Sequence, residues 1–335
     1  MYQEKIQLHK RQERFRQYPN NLRTVALDIT SKCNLHCPHC YASPFTNKVS
    51  DIDLDTLKQT LDEFYELGVF HYVLQGGEPF FDFDRLKAII PMCHPSETYL
   101  NVISNGWLVN REKVRELKNL QVDKITFSLD SGISCEHDAS RGRGSYRRVL
   151  EALDIVQEEG LLAGLSTVVT HTSLYSDGFQ QSLDLAKKKQ VRLHIQIAEP
   201  VGQWEGRKDI LITQEDARYL KKLAEILPKL NNGQSLIHRD LYQTHGDYCP
   251  AGKNFLSLNA DGKLFPCNFL QFSMGDIRKE NVKQMRTNLL KSSWFSNEHP
   301  KCLCGEDEKF INTFIMPYVG TPKPLDSKIF TPKKE

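Results

Sequence analysis

TVALDITSKCNLHCPHCY, residues 24–41, decides the fold. A β-branched, strand-like run, TVALDIT, leads directly into a loop that places Cys33, Cys37 and Cys40 within eight positions. A tetrahedral zinc site or a closed iron–sulfur cube takes four protein ligands, so the local count is one short. Either a fourth ligand arrives from elsewhere, or the gap leaves one metal position open. From the spacing alone, a Cys3His zinc site completed by His36 or His39 stands level with a three-thiolate cluster.

Working outward, the same strand unit recurs. Strand-like runs lie at 71–77, 99–106, 124–130, 162–169 and 191–200. Between them are amphipathic stretches such as LDTLKQTLDEFYELG and YRRVLEALDIVQEEG, whose apolar residues return at intervals of three and four. Strand–helix alternation of this kind predicts an α/β fold with a parallel sheet and helices outside it. Six units fall short of a closed eight-fold barrel, so the expectation is a partial (β/α)6 parallel barrel. Chemistry in such sheets collects at the C-terminal strand ends. The cysteine loop, QGGEP, SNG, SLD and AEPVG all stand at strand ends, hence on one rim.

After residue 210 the alternation is expected to stop, with a helix over TQEDARYLKKLAEILPKL followed by the turn-rich NNGQS. The chain divides into an N-terminal basic helical segment (1–23), the barrel (24–210), a linker helix and loop (211–245), a small cysteine-rich domain (246–320) and a Pro/Lys-rich flexible tail (321–335).

The bulk properties narrow the class. At 335 residues, 39% hydrophobic and 26% charged, the chain can build a large core without disulfide staples. A net charge of +2 argues against a dedicated nucleic-acid binder. No run approaches the roughly 18 apolar residues of a membrane span, and the N-terminus lacks the apolar stretch of a secretory signal, so a cytoplasmic protein is expected. In that reducing setting, nine cysteines point to metal binding or catalysis.

The rim motifs together resemble those of the radical S-adenosylmethionine (radical SAM) enzymes. Cys33-x3-Cys37-x2-Cys40 resembles the family's cluster loop, with His39 where an aromatic residue usually meets the adenine. The resemblance implies that S-adenosylmethionine chelates the fourth, open iron of a [4Fe-4S] cluster. Gly76-Gly77-Glu78-Pro79 resembles the GGEP motif, whose backbone meets the methionine amino group, with Glu78 as a further acceptor. Asn105 in Ser104-Asn105-Gly106, Ser128 in Ser128-Leu129-Asp130, and Arg141 in the following HDxxRG-like segment are the implied contacts to cofactor or substrate. The usual glycine after the aspartate is Ser131 here, with Gly132 one place later.

The segment CPAGKNFLSLNADGKLFPC, from Cys249 to Cys267, reads as a hairpin around the turn NADG. It resembles the opening of the SPASM and shorter twitch extensions of the same enzymes, which carry auxiliary clusters. With Cys302 and Cys304 it makes a set of four, implying a second, closed [4Fe-4S] cluster; a four-cysteine zinc ribbon is the alternative.

The resemblance implies reductive cleavage of S-adenosylmethionine to a 5′-deoxyadenosyl radical, which abstracts hydrogen from a C–H bond of a peptide or small natural product. The cluster draws its electron from an external donor such as flavodoxin or ferredoxin. Net oxidation or cross-linking is expected where an auxiliary cluster accepts an electron. An epimerase using Cys135 as hydrogen donor is the alternative, and a non-catalytic zinc or iron–sulfur binding module is the rival class. The 23 residues before the first strand leave no room for a separate peptide-recognition domain, which lowers the expectation of leader-dependent peptide chemistry.

Overall fold

The computed structural model describes residues 2–17, 22–239 and 248–330. Helix α1 (Tyr2–Gln17) precedes the sheet and is fastened to it by Arg11, whose guanidinium grips Asp123 at 2.6 and 3.0 Å. Strands β1 (Thr24–Thr30), β2 (His71–Gly76), β3 (Tyr99–Ser104), β4 (Lys124–Ser128), β5 (Leu162–Val169) and β6 (Arg192–Ile197) then follow in order, each parallel to its predecessor. Helices α2 (Leu54–Glu66), α3 (Phe83–Ile89), α4 (Arg111–Asn119), α5 (Ser134–Arg141), α6 (Ser145–Glu158) and α7 (Asp177–Lys189) occupy the connections.

The local chemistry accounts for these elements. Asp53 caps α2 by accepting from Thr56 N at 2.8 Å, and Leu57, Leu61 and Phe64 recur on one face, which is buried. Each such side chain contributes about 1.5–3 kcal/mol by leaving water. Alternation in the strands separates two environments. Along β2, Tyr72 and Leu74 are buried beneath the helices, whereas His71, Val73 and Gln75 line the barrel lumen. The same division puts Ile125 and Phe127 outward and Lys124, Thr126 and Ser128 inward along β4.

Two expectations are corrected. Alternation does not stop at 210: α8 (Gln214–Ile226), opened by a reciprocal Thr213/Asp216 capping box, leads to β7 (Ile237–Arg239), parallel to β6. Three residues are too short a strand for periodicity to register. Nor is residues 321–330 a loose tail. Leu325–Asp326 pairs with Phe272–Ser273, and Phe330 is buried among Phe272, Phe295, Phe310 and Phe314. The flanking prolines and lysines hide this aromatic anchor; residues 331–335, and 240–247 of the expected linker, lie outside the described residues.

The cysteine-rich segment joins the same sheet. Its hairpin, β8 (Phe255–Leu258) and β9 (Lys263–Phe265), adds to the free edge of β1, with β8 parallel to it. Strands β10 (Phe272–Ser273), which pairs with Leu325–Asp326, and β11 (Gly275–Asp276) follow, and β11 closes that side. Among the described residues the order is β11-β9-β8-β1-β2-β3-β4-β5-β6-β7. Thus β1, which delivers the first cysteine loop, is held between the barrel and the second cysteine region.

Candidate active site

The loop after β1 is braced by polar contacts. Asp51 accepts from Thr30 Oγ1 (2.6 Å) and Ser31 N (2.8 Å), and Asn47 exchanges hydrogen bonds with the backbone of Cys33 at 3.0 and 3.2 Å. The three thiols are free and half-buried, and all line one cavity of about 220 Å³ at the strand ends. The same cavity is lined by His39, Gly76, Gly77, Glu78, Asn105, Ser128 and Arg141. The residues singled out on the first rim therefore converge.

Their immediate partners differ from the sequence reading in instructive ways. A Cβ on Gly77 would lie 2.1 Å from Lys32 O, and one on Gly76 (φ +132°) 2.5 Å from Thr30 O. These glycines let the end of β2 lie against the backbone that enters the cysteine loop, a nearer reason for them than approach to a ligand. Glu78 is buried and accepts from Phe80 N (3.1 Å), Ser104 Oγ (2.8 Å) and Asn105 N (2.7 Å). It joins the ends of β2 and β3; burial pushes its carboxyl up to about 7, against the pull of these donors. Asn105 donates in turn to Asn34 Oδ1 at 3.0 Å, a partner inside the cysteine loop that spacing did not reveal.

Arg141 lines the cavity and pairs within the protein. Its Nε and Nη2 grip Asp130 at 2.7 and 2.9 Å, and Nη2 lies 3.0 Å from His39 Nε2. Burial alone would raise the Asp130 pKa, but Arg141 and His39 hold it well below the usual carboxylate range. Burial lowers His39 to about 4, so its ring is neutral at physiological pH. The ring sits 5.6 Å from Trp204, leaving an aromatic wall beside the thiols. Cys135 does not join this group. It is exposed in the first turn of α5, outside the cavity lining, so the hydrogen-donor assignment loses its geometry.

The second set is more enclosed. Cys249, Cys267, Cys302 and Cys304 are all buried, none more than 8% exposed. Burial raises all four pKa values, and Cys249 and Cys304 add to the rise at Cys302, as Cys249 and Cys267 do at Cys304. The loop bearing Cys302 and Cys304 is closed by Glu306, which accepts from Cys302 N at 2.9 Å. Both sets combine free thiols with burial that disfavours a bare thiolate, the environment in which a bound cationic centre supplies the missing charge. Among the described residues, no three His, Cys, Asp or Glu side chains converge as they would on a single metal ion. The donor chemistry, cysteine thiols in both sets, suits clusters, whose cysteines bind separate irons.

The two sets meet at the cavity wall. Tyr41, next to Cys40, has its ring 4.9 Å from Phe269, two residues after Cys267, and both Tyr41 and Phe269 line the cavity. Burial raises the Tyr41 pKa, and the nearby Cys40 and Cys267 thiols push it in the same direction. Gln271 Nε2 donates to Tyr41 O at 2.7 Å, fastening the two loops. Glu199, at the end of β6, lines this cavity, is buried, accepts from Gln196 Nε2 at 2.7 Å and raises the pKa of Cys267, Cys302 and Cys304. Asn34, Tyr41, Trp204 and Glu199 escaped the sequence reading; for Glu199 the strand-end motif AEPVG was the available signal.

Comparison with known proteins agrees with this geometry. The radical SAM superfamily model matches residues 27–186, and the SPASM iron–sulfur cluster-binding domain model matches 249–306. An AdoMet-dependent heme synthase of Methanosarcina barkeri is 24% identical over 80% of this chain and 83% of its own length. The subtilosin biosynthesis protein AlbA of Bacillus subtilis is 25% identical over 83% of this chain, which spans 62% of AlbA. Among solved structures, Streptococcus suis SuiB bound to precursor peptide SuiA superposes with a TM-score of 0.62 at 13% identity, covering 83% of this chain and 68% of SuiB. These matches bring a SAM-binding [4Fe-4S] cluster and an auxiliary iron–sulfur cluster, and they displace the zinc readings of both cysteine sets. The chain is an enzyme of the radical SAM superfamily that carries a SPASM iron–sulfur cluster-binding domain.

Proposed function

We propose that this enzyme oxidatively modifies a C–H bond of a peptide or small natural product, with Cys33, Cys37 and Cys40 holding the SAM-binding cluster and Cys249, Cys267, Cys302 and Cys304 the auxiliary one. The observation that carries this reading is the shared wall: Tyr41 and Phe269, neighbours of the two cysteine sets in sequence, touch beside the same cavity. When bound, the clusters and S-adenosylmethionine supply a 5′-deoxyadenosyl radical and a one-electron acceptor.

The chain's own residues orient and shield. Glu78 and Asn105 fix the ends of β2 and β3 against the cysteine loop, and the Asp130–Arg141 pair fixes β4 against α5. Neutral His39 and Trp204 give the cavity an aromatic side without another charge. Oxidation of a C–H bond releases a proton as well as electrons, and the buried Glu199 carboxylate is placed to receive it. An external donor such as flavodoxin or ferredoxin, in the cytoplasm, would reduce the first site.

A peptide substrate is supported by the relatives. AlbA is named for biosynthesis of a bacteriocin, another relative in Methylocella silvestris is a PqqA peptide cyclase, and SuiB holds its precursor peptide. The heme synthase keeps a small-molecule substrate in view. The test is anaerobic turnover with candidate peptides, following 5′-deoxyadenosine and substrate mass. A substrate mass two units lower or an internal cross-link supports oxidation. An unchanged mass in ordinary water, with a gain of one unit in deuterated buffer, supports epimerisation, and absence of 5′-deoxyadenosine from fully iron-loaded, reduced protein contradicts both.

A further inference from the structure

The loop that follows β6 forms one wall of the cysteine cavity, and the C-terminal segment holds it there. Its 3-10 turn, Gly202–Trp204, lies directly against the first cysteine loop. A Cβ on Gly202 (φ +64°) would stand 2.3 Å from Cys40 O and 2.6 Å from Tyr41 Cα, so the approach needs a glycine. Gln203 N then donates to Cys40 O at 3.1 Å. Trp204 follows, lining the cavity with its ring 5.6 Å from His39, the residue that the family resemblance sets beside the adenine.

The next residue, Glu205, is gripped from the far end of the chain. Its Oε1 lies 2.8 Å from Lys323 Nζ, and its Oε2 accepts from Gly320 N at 3.2 Å. The Lys323 side chain is only 11% exposed, and Nζ also donates to Tyr318 O at 2.8 Å and Thr321 O at 3.1 Å. Val319 packs on Gly206, where a Cβ would come within 3.2 Å of its Cγ1. The segment is itself anchored, since Leu325 N donates to Gln271 O at 3.0 Å and Phe330 is buried. Exposed ion pairs contribute little, because both side chains stay solvated and mobile. This pair differs. Among the described residues, Glu205 is the one carboxylate in ion-pair reach of an enclosed ammonium that otherwise faces neutral oxygens.

We propose that Glu205 and Lys323 are positioning residues for S-adenosylmethionine. Their ion pair latches the C-terminal segment to the loop after β6, and through Gln203 and Trp204 it fixes the Cys40 carbonyl and the aromatic wall. Neither residue is among the described residues lining the cavity, so both act on the cofactor through their neighbours. The same segment thus serves both cysteine regions: Phe330 packs in the second, and Lys323 steadies the first. This role rests on the proposed assignment of Cys33, Cys37 and Cys40 to the SAM-binding cluster, but not on the reaction that follows binding.

The test is anaerobic calorimetric titration of the full-length, cluster-reconstituted protein with S-adenosylmethionine, the clusters kept oxidised so that no cleavage occurs. Lys323→Met and Glu205→Gln should each weaken binding about fivefold, with iron content unchanged. Lys323→Arg keeps the charge and should bind within about twofold of the parent chain. Lys328→Met, in the same segment with its side chain 88% exposed, should leave the affinity unchanged. Without cofactor, amide exchange across residues 200–207 should quicken in both latch variants, read by mass spectrometry. Should Lys323→Met fold poorly, Glu205→Gln keeps the side-chain shape and the acceptor for Gly320 N, and carries the measurement. Unchanged affinity in the latch variants, or an equal loss in Lys328→Met, overturns the proposal. Faster exchange with unchanged affinity does so too, since the latch would then be merely structural. A chain that binds the cofactor with the expected pattern yet forms no oxidised product would retire the proposed oxidation and leave the latch standing.

Discussion

The two cysteine regions solve opposite problems with the same side chain. Cys33, Cys37 and Cys40 sit close together in sequence, half-buried, on a loop braced by Asp51, Asn47 and Asn105 and open to a cavity. Cys249, Cys267, Cys302 and Cys304 are spread over more than fifty residues and are buried, in a region that also holds a packed cluster of phenylalanines. Hydrogen bonds and one ion pair hold the first; hydrophobic packing and a sheet edge hold the second. The difference teaches that a short, contiguous motif can leave a coordination position exposed, whereas ligands gathered from distant segments enclose one.

The sharpest way to break the comparison is to delete one region at a time. Replacing Cys33, Cys37 and Cys40 together by alanine should abolish 5′-deoxyadenosine formation while about four irons per chain remain, measured by iron and sulfide analysis. Loss of all iron would make the two regions a single folding unit. Cys267→Ala should do the reverse, abolishing product by mass spectrometry while some S-adenosylmethionine cleavage survives. Full product formation by that variant would reduce the second region to a structural role.

Smaller changes probe what holds each region. Phe330→Ala should cost about 3–5 kcal/mol in chemical denaturation and loosen the second region first, seen as loss of auxiliary iron before cofactor cleavage. Asp130→Asn leaves Arg141 buried without its counter-charge and should lower stability by about 3 kcal/mol, with weakened S-adenosylmethionine binding and normal auxiliary iron. Because the folded Asp130 pKa is depressed, the stability it contributes is present above the unfolded carboxylate pKa near ~4 and is lost as the pH falls through the folded value.

The smallest effect has the opposite sign. Burial raises Asp28, on the inward face of β1, to about 7, so the folded chain retains a proton that the unfolded chain has released. Its contribution to stability therefore declines as the pH rises from about 4 to about 7, and Asp28→Asn should flatten that slope in thermal melts. An unchanged slope would show that Asp28 is not the group responsible.

What was legible in the sequence was what lies close together along the chain. The cysteine spacing, the glycine pair and the polar strand ends could be placed on one rim because parallel strands present their C-terminal ends together. Pairings across the fold were not legible: Asn34 to Asn105, Arg141 to Asp130, and Tyr41 to Phe269 depend on which loops meet. The three-residue β7 carries too little periodicity to register, and Phe330 is obscured by the prolines and lysines around it. The polar lumen was present as alternation, His-x-Val-x-Gln and Arg-x-His-x-Gln, but its meaning needs the closure of the sheet around it.

The measurement that tests the contrast between an open and a closed site most directly is electron paramagnetic resonance of the reduced protein with and without S-adenosylmethionine. In the parent chain, the cofactor should shift the signal of one cluster and leave the other untouched. In the triple alanine variant at Cys33, Cys37 and Cys40, the remaining signal should be indifferent to the cofactor. A cofactor-dependent shift in that variant, or none in the parent chain, would contradict the assignment of the open position to the first region.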